Sequence, residues 1–148
     1  GIDIGTGSGV LAIALAAWEA IPVTAIDTDP CAVAEATANV RLNNLNHLIA
    51  VSNTPLETVT GPFSVLLANL RYPTLHRMLP RLSSMTAPDG CCIFSGVLVE
   101  EIDSLIVDGK NSGLYALSVI KEGRWAGAAF CRHRPSSVLE TTGSSHHP

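Results

Sequence analysis

The chain has 148 residues, 47% of them hydrophobic and 15% charged, and carries a formal net charge of −4. A chain of this length forms one domain that buries about two-thirds of its unfolded surface, and this composition excludes general disorder. The acidic balance argues against nucleic-acid binding by phosphate neutralisation, and no apolar run reaches the roughly 18 residues that a bilayer span needs.

The opening lacks the basic flank of a signal peptide, so the expected location is cytoplasmic and no membrane partner is expected. Cys31, Cys91, Cys92 and Cys131 show no paired metal-ligand spacing and read as reduced, mostly buried small hydrophobes. Arg71, Arg77 and Arg81 offer a short basic stripe or, in the plainer reading, a solvated helix face. Oligomeric state cannot be read from any of this.

Helical and strand-like segments alternate along the chain, the pattern of an α/β domain with a mainly parallel sheet. "GIDI" ends a first strand, and from Ser8 the residues Val10, Leu11, Ala14, Leu15 and Trp18 recur at helical spacing as one wide apolar face. "PVTAID" is a second strand. Asp29 and Pro30 then supply an N-cap and first-turn proline for a helix through Val33, Ala36 and Val40.

"HLIAV" is a third strand and "FSVLLAN" a fourth, with space for only a vestigial helix between them. Leu75, Met78, Leu79 and Leu82 line the next helix, which Pro80 should bend or weaken. A turn at "APDG" leads into a fifth strand, "CCIFSGVL". Val99, Ile102, Leu105 and Ile106 mark a helix closing near Gly109 or Gly113, and "LYALSVIKEGRWAGAAFCR" folds as an antiparallel hairpin about "KEGR". Residues 1–134 form the domain, and 135–148, rich in Ser, Thr, Gly and His, read as a disordered tail.

The chemistry concentrates in "GIDIGTGSGV". Glycines between a strand and a helix let backbone approach a ligand closely, and the helix start supplies free N–H donors. Asp27 ends the second strand, 22 residues after Gly5, where a carboxylate can accept both hydrogen bonds of a ribose diol. A dinucleotide site would show G-x-G-x-x-G, whereas this loop runs Gly5-Thr6-Gly7-Ser8-Gly9 behind Asp3. An aspartate there repels a pyrophosphate and suits a ligand bearing an ammonium and a sulfonium, as S-adenosylmethionine does. The competing reading makes Asp3 a loop-stabilising residue.

"DIGTGSGVLAIA", "AIDTDPCAVAEATANV", "FSVLLANL", "CIFSGVLVEE" and "KEGRW" resemble the successive motifs of class I S-adenosylmethionine-dependent methyltransferases. In particular they resemble the catalytic domain of the ribosomal protein L11 methyltransferases, from about Gly1 to Arg132. The resemblance implies a Rossmann-like fold with a mainly parallel seven-stranded sheet ending in an antiparallel hairpin, its N-terminal part truncated here. It also implies methylation of a lysine or terminal amine of a ribosomal or other protein, with S-adenosylhomocysteine as product.

By the same resemblance Asp3, Gly5, Thr6, Gly7 and Gly9 hold the methionine portion, and Asp27, with Thr28 and Asp29 beside it, binds the ribose. Ser52 and Asn53 fall where adenine is contacted, a position a plain loop fills equally well. Asn69 and Tyr72 keep the amide and aromatic of the Asn-Pro-Pro-aromatic motif of amine methyltransferases without its prolines. An Asn carbonyl there accepts from the incoming amine; Tyr72 is the weaker candidate, and His76 could accept a proton. Glu122 and Trp125 read as packing or turn residues of the hairpin.

Family members carry an N-terminal recognition domain ahead of the glycine loop that this sequence does not show. The alternatives are a non-catalytic module keeping the fold and, from another class, a nicotinamide-dependent oxidoreductase.

Overall fold

The computed structural model describes residues 1–133; the tail expected at 135–148 lies outside the described residues. Seven strands form one sheet in the order β3-β2-β1-β4-β5-β7-β6. The strands are β1 (Ile2–Ile4), β2 (Val23–Ile26), β3 (Ile49–Ser52), β4 (Phe63–Asn69), β5 (Thr86–Leu98), β6 (Tyr115–Glu122) and β7 (Trp125–Cys131). The first five pair in parallel, and β7 runs antiparallel to both β5 and β6. The hairpin expected about "KEGR" is therefore present.

Four helices connect them: α1 (Val10–Glu19), α2 (Pro30–Leu42), α3 (Tyr72–Met85) and α4 (Ile102–Asn111). Between β3 and β4 there is a single 3-10 turn, Leu56–Thr58. Asp29 caps α2 by accepting the Cys31 N–H at 2.8 Å, with Pro30 in the first turn. α4 closes where the Leu114 N–H reaches the Gly109 carbonyl at 2.8 Å, a Schellman-type ending that buries Leu114. α3 runs through Pro80, which lies on its exposed side.

α1 and α2 lie over β1, β2 and β3, where Ala12, Ala16, Val23, Ala25 and Val40 form one core. α3 and α4 cover the other part of the sheet, where the Phe94 and Phe130 rings meet at a tilt, 5.3 Å between centroids, among Leu75, Leu79 and Leu105. Each such fully buried side chain contributes about 1.5–3 kcal/mol through its removal from water. Strand alternation sends Ile93 and Ala129 to the opposite face of β5 and β7, over which no helix packs among the described residues.

Three expectations need correction. Of the apolar face read for α1, Leu11 and Leu15 are partly buried but Val10, Ala14 and Trp18 are exposed, and the buried positions are Ala12 and Ala16. α1 is apolar nearly all round, so spacing alone does not choose a side, and the small alanines let the helix sit close to the sheet. "APDG" is not a chain reversal: β5 is already paired at Thr86 with Phe63, and its next partners are Cys91 and Val65. Residues 87–90 are thus a bulge, held by Gly90, where an added Cβ would lie 2.9 Å from the Phe63 carbonyl oxygen. Of the cysteines, all free thiols, only Cys92 is buried, while Cys91 and Cys131 are intermediate and Cys31 exposed.

Candidate functional site

The glycine loop leaves β1 at its C-terminal end, between the ends of β2 and β4, and leads into α1. The Gly5 and Thr6 N–H groups both donate to the Ile26 carbonyl at 2.9 Å, which ties the loop to the end of β2. Asp27 follows directly. Its Oδ2 accepts the Gly7 N–H at 2.9 Å and its Oδ1 the Asp29 N–H at 2.9 Å. Loop and acid therefore meet in one place, with Thr28 and Asp29 exposed beside them.

Gly7 has φ +55, and an added Cβ would meet nothing within 4 Å. The backbone here is bent as glycine permits and faces open space, the arrangement a closely approaching ligand needs. α2 braces the loop through Asn39, whose Nδ2 donates to the Ser8 carbonyl at 2.8 Å.

Asp3 lies beneath the loop and is 1% exposed. Its Oδ2 accepts from the Thr6 hydroxyl at 2.7 Å and the Ala12 N–H at 3.2 Å. Its Oδ1 is buried with no partner, the one such side-chain atom among the described residues. Burial pushes the carboxyl above its ordinary value against the pull of those two hydrogen bonds, and the Asp27 charge adds to the rise. A cation against Oδ1 would relieve both the missing partner and the desolvation cost. One oxygen of Asp3 thus stabilises the loop, while Oδ1 is left without a hydrogen-bond partner.

Ser52 ends β3 next to the acid, its carbonyl accepting the Asp27 N–H at 3.2 Å, and Asn53 is exposed beyond it. Asn69 ends β4 and is exposed. The next residue is fixed by the Leu70 N–H donating to the Ser95 carbonyl at 3.0 Å. Gly96, not singled out from the sequence, packs against the Asn69 side chain: it has φ +82, and an added Cβ would lie 2.4 Å from Asn69 Oδ1. A positive φ leaves no composition signal beyond the glycine itself.

Asn69 lines a cavity of about 820 Å³ between the loop after β4 and the β6–β7 hairpin. Its floor includes Ile93 and Ile120, and Ser95 lies beside Asn69. Glu122 and Trp125, read from the sequence as turn residues, line the same cavity. The Trp125 ring is flanked by the Arg71 guanidinium at 5.7 Å and that of Arg124 at 5.5 Å. Arg81 instead donates to the Val59 carbonyl at 2.6 Å, so Arg71, Arg77 and Arg81 do not act as a single stripe.

Tyr72 and His76 do not line that cavity. The Tyr72 hydroxyl donates to Asp108 Oδ2 at 2.7 Å, and His76 Nδ1 meets the same oxygen at 2.7 Å, clasping α3 to α4. The His76 and Tyr72 contacts hold the Asp108 carboxyl below its ordinary value, while the same hydrogen bond raises the Tyr72 phenol. A lowered carboxyl value stabilises the fold above the unfolded value, and that stability is lost as pH falls through the folded one. The clasp is accordingly complete at neutral pH and fails below the ordinary value of 3.8. In acid titrations of thermal stability, Asp108→Asn should start lower at pH 7 and fall less steeply below pH 4 than the parent; parallel curves would mean the clasp contributes nothing.

The strand order with its antiparallel β7, the glycine loop and the acid ending β2 together define an S-adenosylmethionine-dependent methyltransferase fold. A family profile described as "Ribosomal protein L11 methyltransferase (PrmA)" matches residues 1–133. The chain belongs to that family. It is 40% identical over 129 residues to the ribosomal protein L11 methyltransferase of Geotalea uraniireducens, an overlap covering 87% of this chain and 41% of the relative. It thus spans about two-fifths of the length of the curated relatives it matches.

The crystal structure of ribosomal protein L11 methylase from Lactobacillus delbrueckii subsp. bulgaricus superposes with a TM-score of 0.84 at 32% identity, covering 90% of this chain and 69% of that one. A methyltransferase from Pyrococcus furiosus shares the fold, with a TM-score of 0.75 at 22% identity over 88% of this chain and 73% of its own. No helix among the described residues is long and apolar enough to cross a membrane.

Proposed function

We propose that this chain is the cofactor-binding and methyl-transferring part of an enzyme that methylates a protein amine, a lysine side chain or terminal amine of a ribosomal protein in the cytoplasm. One observation carries the reading: the Gly7 N–H lies 2.9 Å from Asp27 Oδ2, above a buried Asp3 whose Oδ1 is unpaired. Those features fit S-adenosylmethionine. Each Asp27 oxygen accepts one backbone N–H and keeps a lone pair for a ribose hydroxyl. Asp3 sets negative charge toward the methionine ammonium, and Gly5, Thr6, Gly7 and Gly9 form the wall of the site, with Thr28 at its edge.

When bound, that cofactor supplies a methyl group on sulfonium sulfur, an electrophile already activated. The work left to the chain is alignment and exclusion of water. Asn69 Oδ1 accepts an N–H of the neutral amine, leaving the nitrogen lone pair free to point at the methyl group, and Gly96 and Ser95 fix where that amide sits. Tyr72, held by Asp108, anchors the start of α3 behind Asn69. The attacking amine sheds its proton to water.

The test is transfer of a labelled methyl group from S-adenosylmethionine to purified ribosomal protein L11, with the full chain that carries these residues, followed by mass mapping of the label. Label on lysine or the terminal amine is expected, falling about 100-fold in Asn69→Ala. Label on another residue type, or an unaffected Asn69→Ala rate, would contradict the assignment.

A further inference from the structure

Cys91 on β5 and Cys131 on β7 are direct partners across an antiparallel ladder. Such partners project from the same face with Cα atoms about 4.5–5.5 Å apart, inside the roughly 4.4–6.8 Å that a disulfide spans. Both thiols are half-buried. They lie on the same face as Ile93 and Ala129, over which no helix packs among the described residues.

Neighbouring Cys92 alternates to the opposite face, where it is buried against Thr86 with its thiol pushed up to about 11. Burial and the nearness of Cys131 also push up the Cys91 thiol. The Cys131 thiol donates to the His133 carbonyl at 2.8 Å and lies 3.7 Å from the Tyr115 carbonyl, so a bond to Cys91 requires it to leave those partners. The proposed methyl transfer uses neither residue.

We propose that Cys91 and Cys131 form a thiol–disulfide exchange site that a low-molecular-weight disulfide, such as oxidised glutathione, converts to a cross-strand bond. One protein thiolate attacks a glutathione sulfur and releases glutathione; the other protein thiolate attacks the resulting mixed disulfide and releases a second. The protein gives up two electrons and two protons. The glutathione disulfide takes up both and leaves as two thiols. The bond staples β7 to β5.

The experiment uses Cys31→Ser protein, which removes the exposed thiol, incubated with oxidised glutathione at alkaline pH because the thiolate is the attacking form. Mass analysis of a non-reducing digest is expected to show a peptide joining the Cys91 segment to Cys131, with loss of two titratable thiols and a raised melting temperature. Cys92→Ser should retain that link. Cys131→Ser should instead hold glutathione on Cys91. Separate glutathione adducts on Cys91 and Cys131, a Cys91–Cys92 link, or a bond that forms only in denaturant would overturn the proposal, as would two unreacted thiols under conditions that modify Cys31 in the parent.

Discussion

Asp27→Ala is expected to weaken binding of S-adenosylhomocysteine by about 10- to 100-fold, the loss of hydrogen bonds to a charged acceptor being worth about 1.5–3 kcal/mol. The effect has two sources. In the proposed complex Asp27 offers its remaining lone pairs to the ribose, and in the structure it accepts the Gly7 and Asp29 N–H groups that shape the loop and the entry to α2. Asp27→Asn keeps one acceptor oxygen but sets an NH2 against one of those two donors, so it too should bind poorly despite its similar size. Calorimetry is the direct readout. Unchanged affinity in both variants, with melting temperatures near the parent's, would remove Asp27 from the site.

Gly96→Ala should separate cofactor binding from transfer. An added Cβ would lie 2.4 Å from Asn69 Oδ1 and 3.1–3.2 Å from the backbone of Leu70, at φ +82. Neither the Leu70 backbone, tied to Ser95, nor the β5 backbone can give way easily, so the Asn69 amide must move. A stability loss of about 1–3 kcal/mol is expected from the strained backbone. S-adenosylhomocysteine affinity should stay within a few-fold of the parent while methyl transfer falls with that of Asn69→Ala. Full transfer activity in a folded Gly96→Ala protein would show that the Asn69 position does not matter.

Legibility in the sequence followed the range of the interactions involved. The loop, Asp27 and Asn69 could be placed because each ends a strand whose apolar run is visible locally, and the strand-loop-helix connection then dictates what the next residues face. Gly96 packs against Asn69, and Trp125 shares its cavity, only because β5 pairs with β4 and β7 with β5, a strand order no local pattern encodes. The Tyr72–Asp108 contact spans 36 positions and was equally out of reach.

The misread face of α1 has a different cause. Where apolar residues surround a helix, periodicity loses its contrast: Ala12 and Ala16 are buried against the sheet with Ile13 and Leu15 packed beside them, while the equally apolar Ala14 and Trp18 are exposed. "APDG" has turn composition because a four-residue bulge needs the same freedom as a turn, and only its ladder partners on both sides distinguish the two.

The most direct test of the cofactor site is a calorimetric titration of the folded protein with S-adenosylhomocysteine, with NADH in parallel. A ligand that binds the folded state stabilises it by RT ln(1 + [L]/Kd), so a saturable one-site isotherm and a melting temperature that rises with ligand concentration are expected for the first ligand and neither for the second. A folded protein that ignores S-adenosylhomocysteine, or that answers NADH instead, would contradict a cofactor crevice built by Gly7, Asp3 and Asp27.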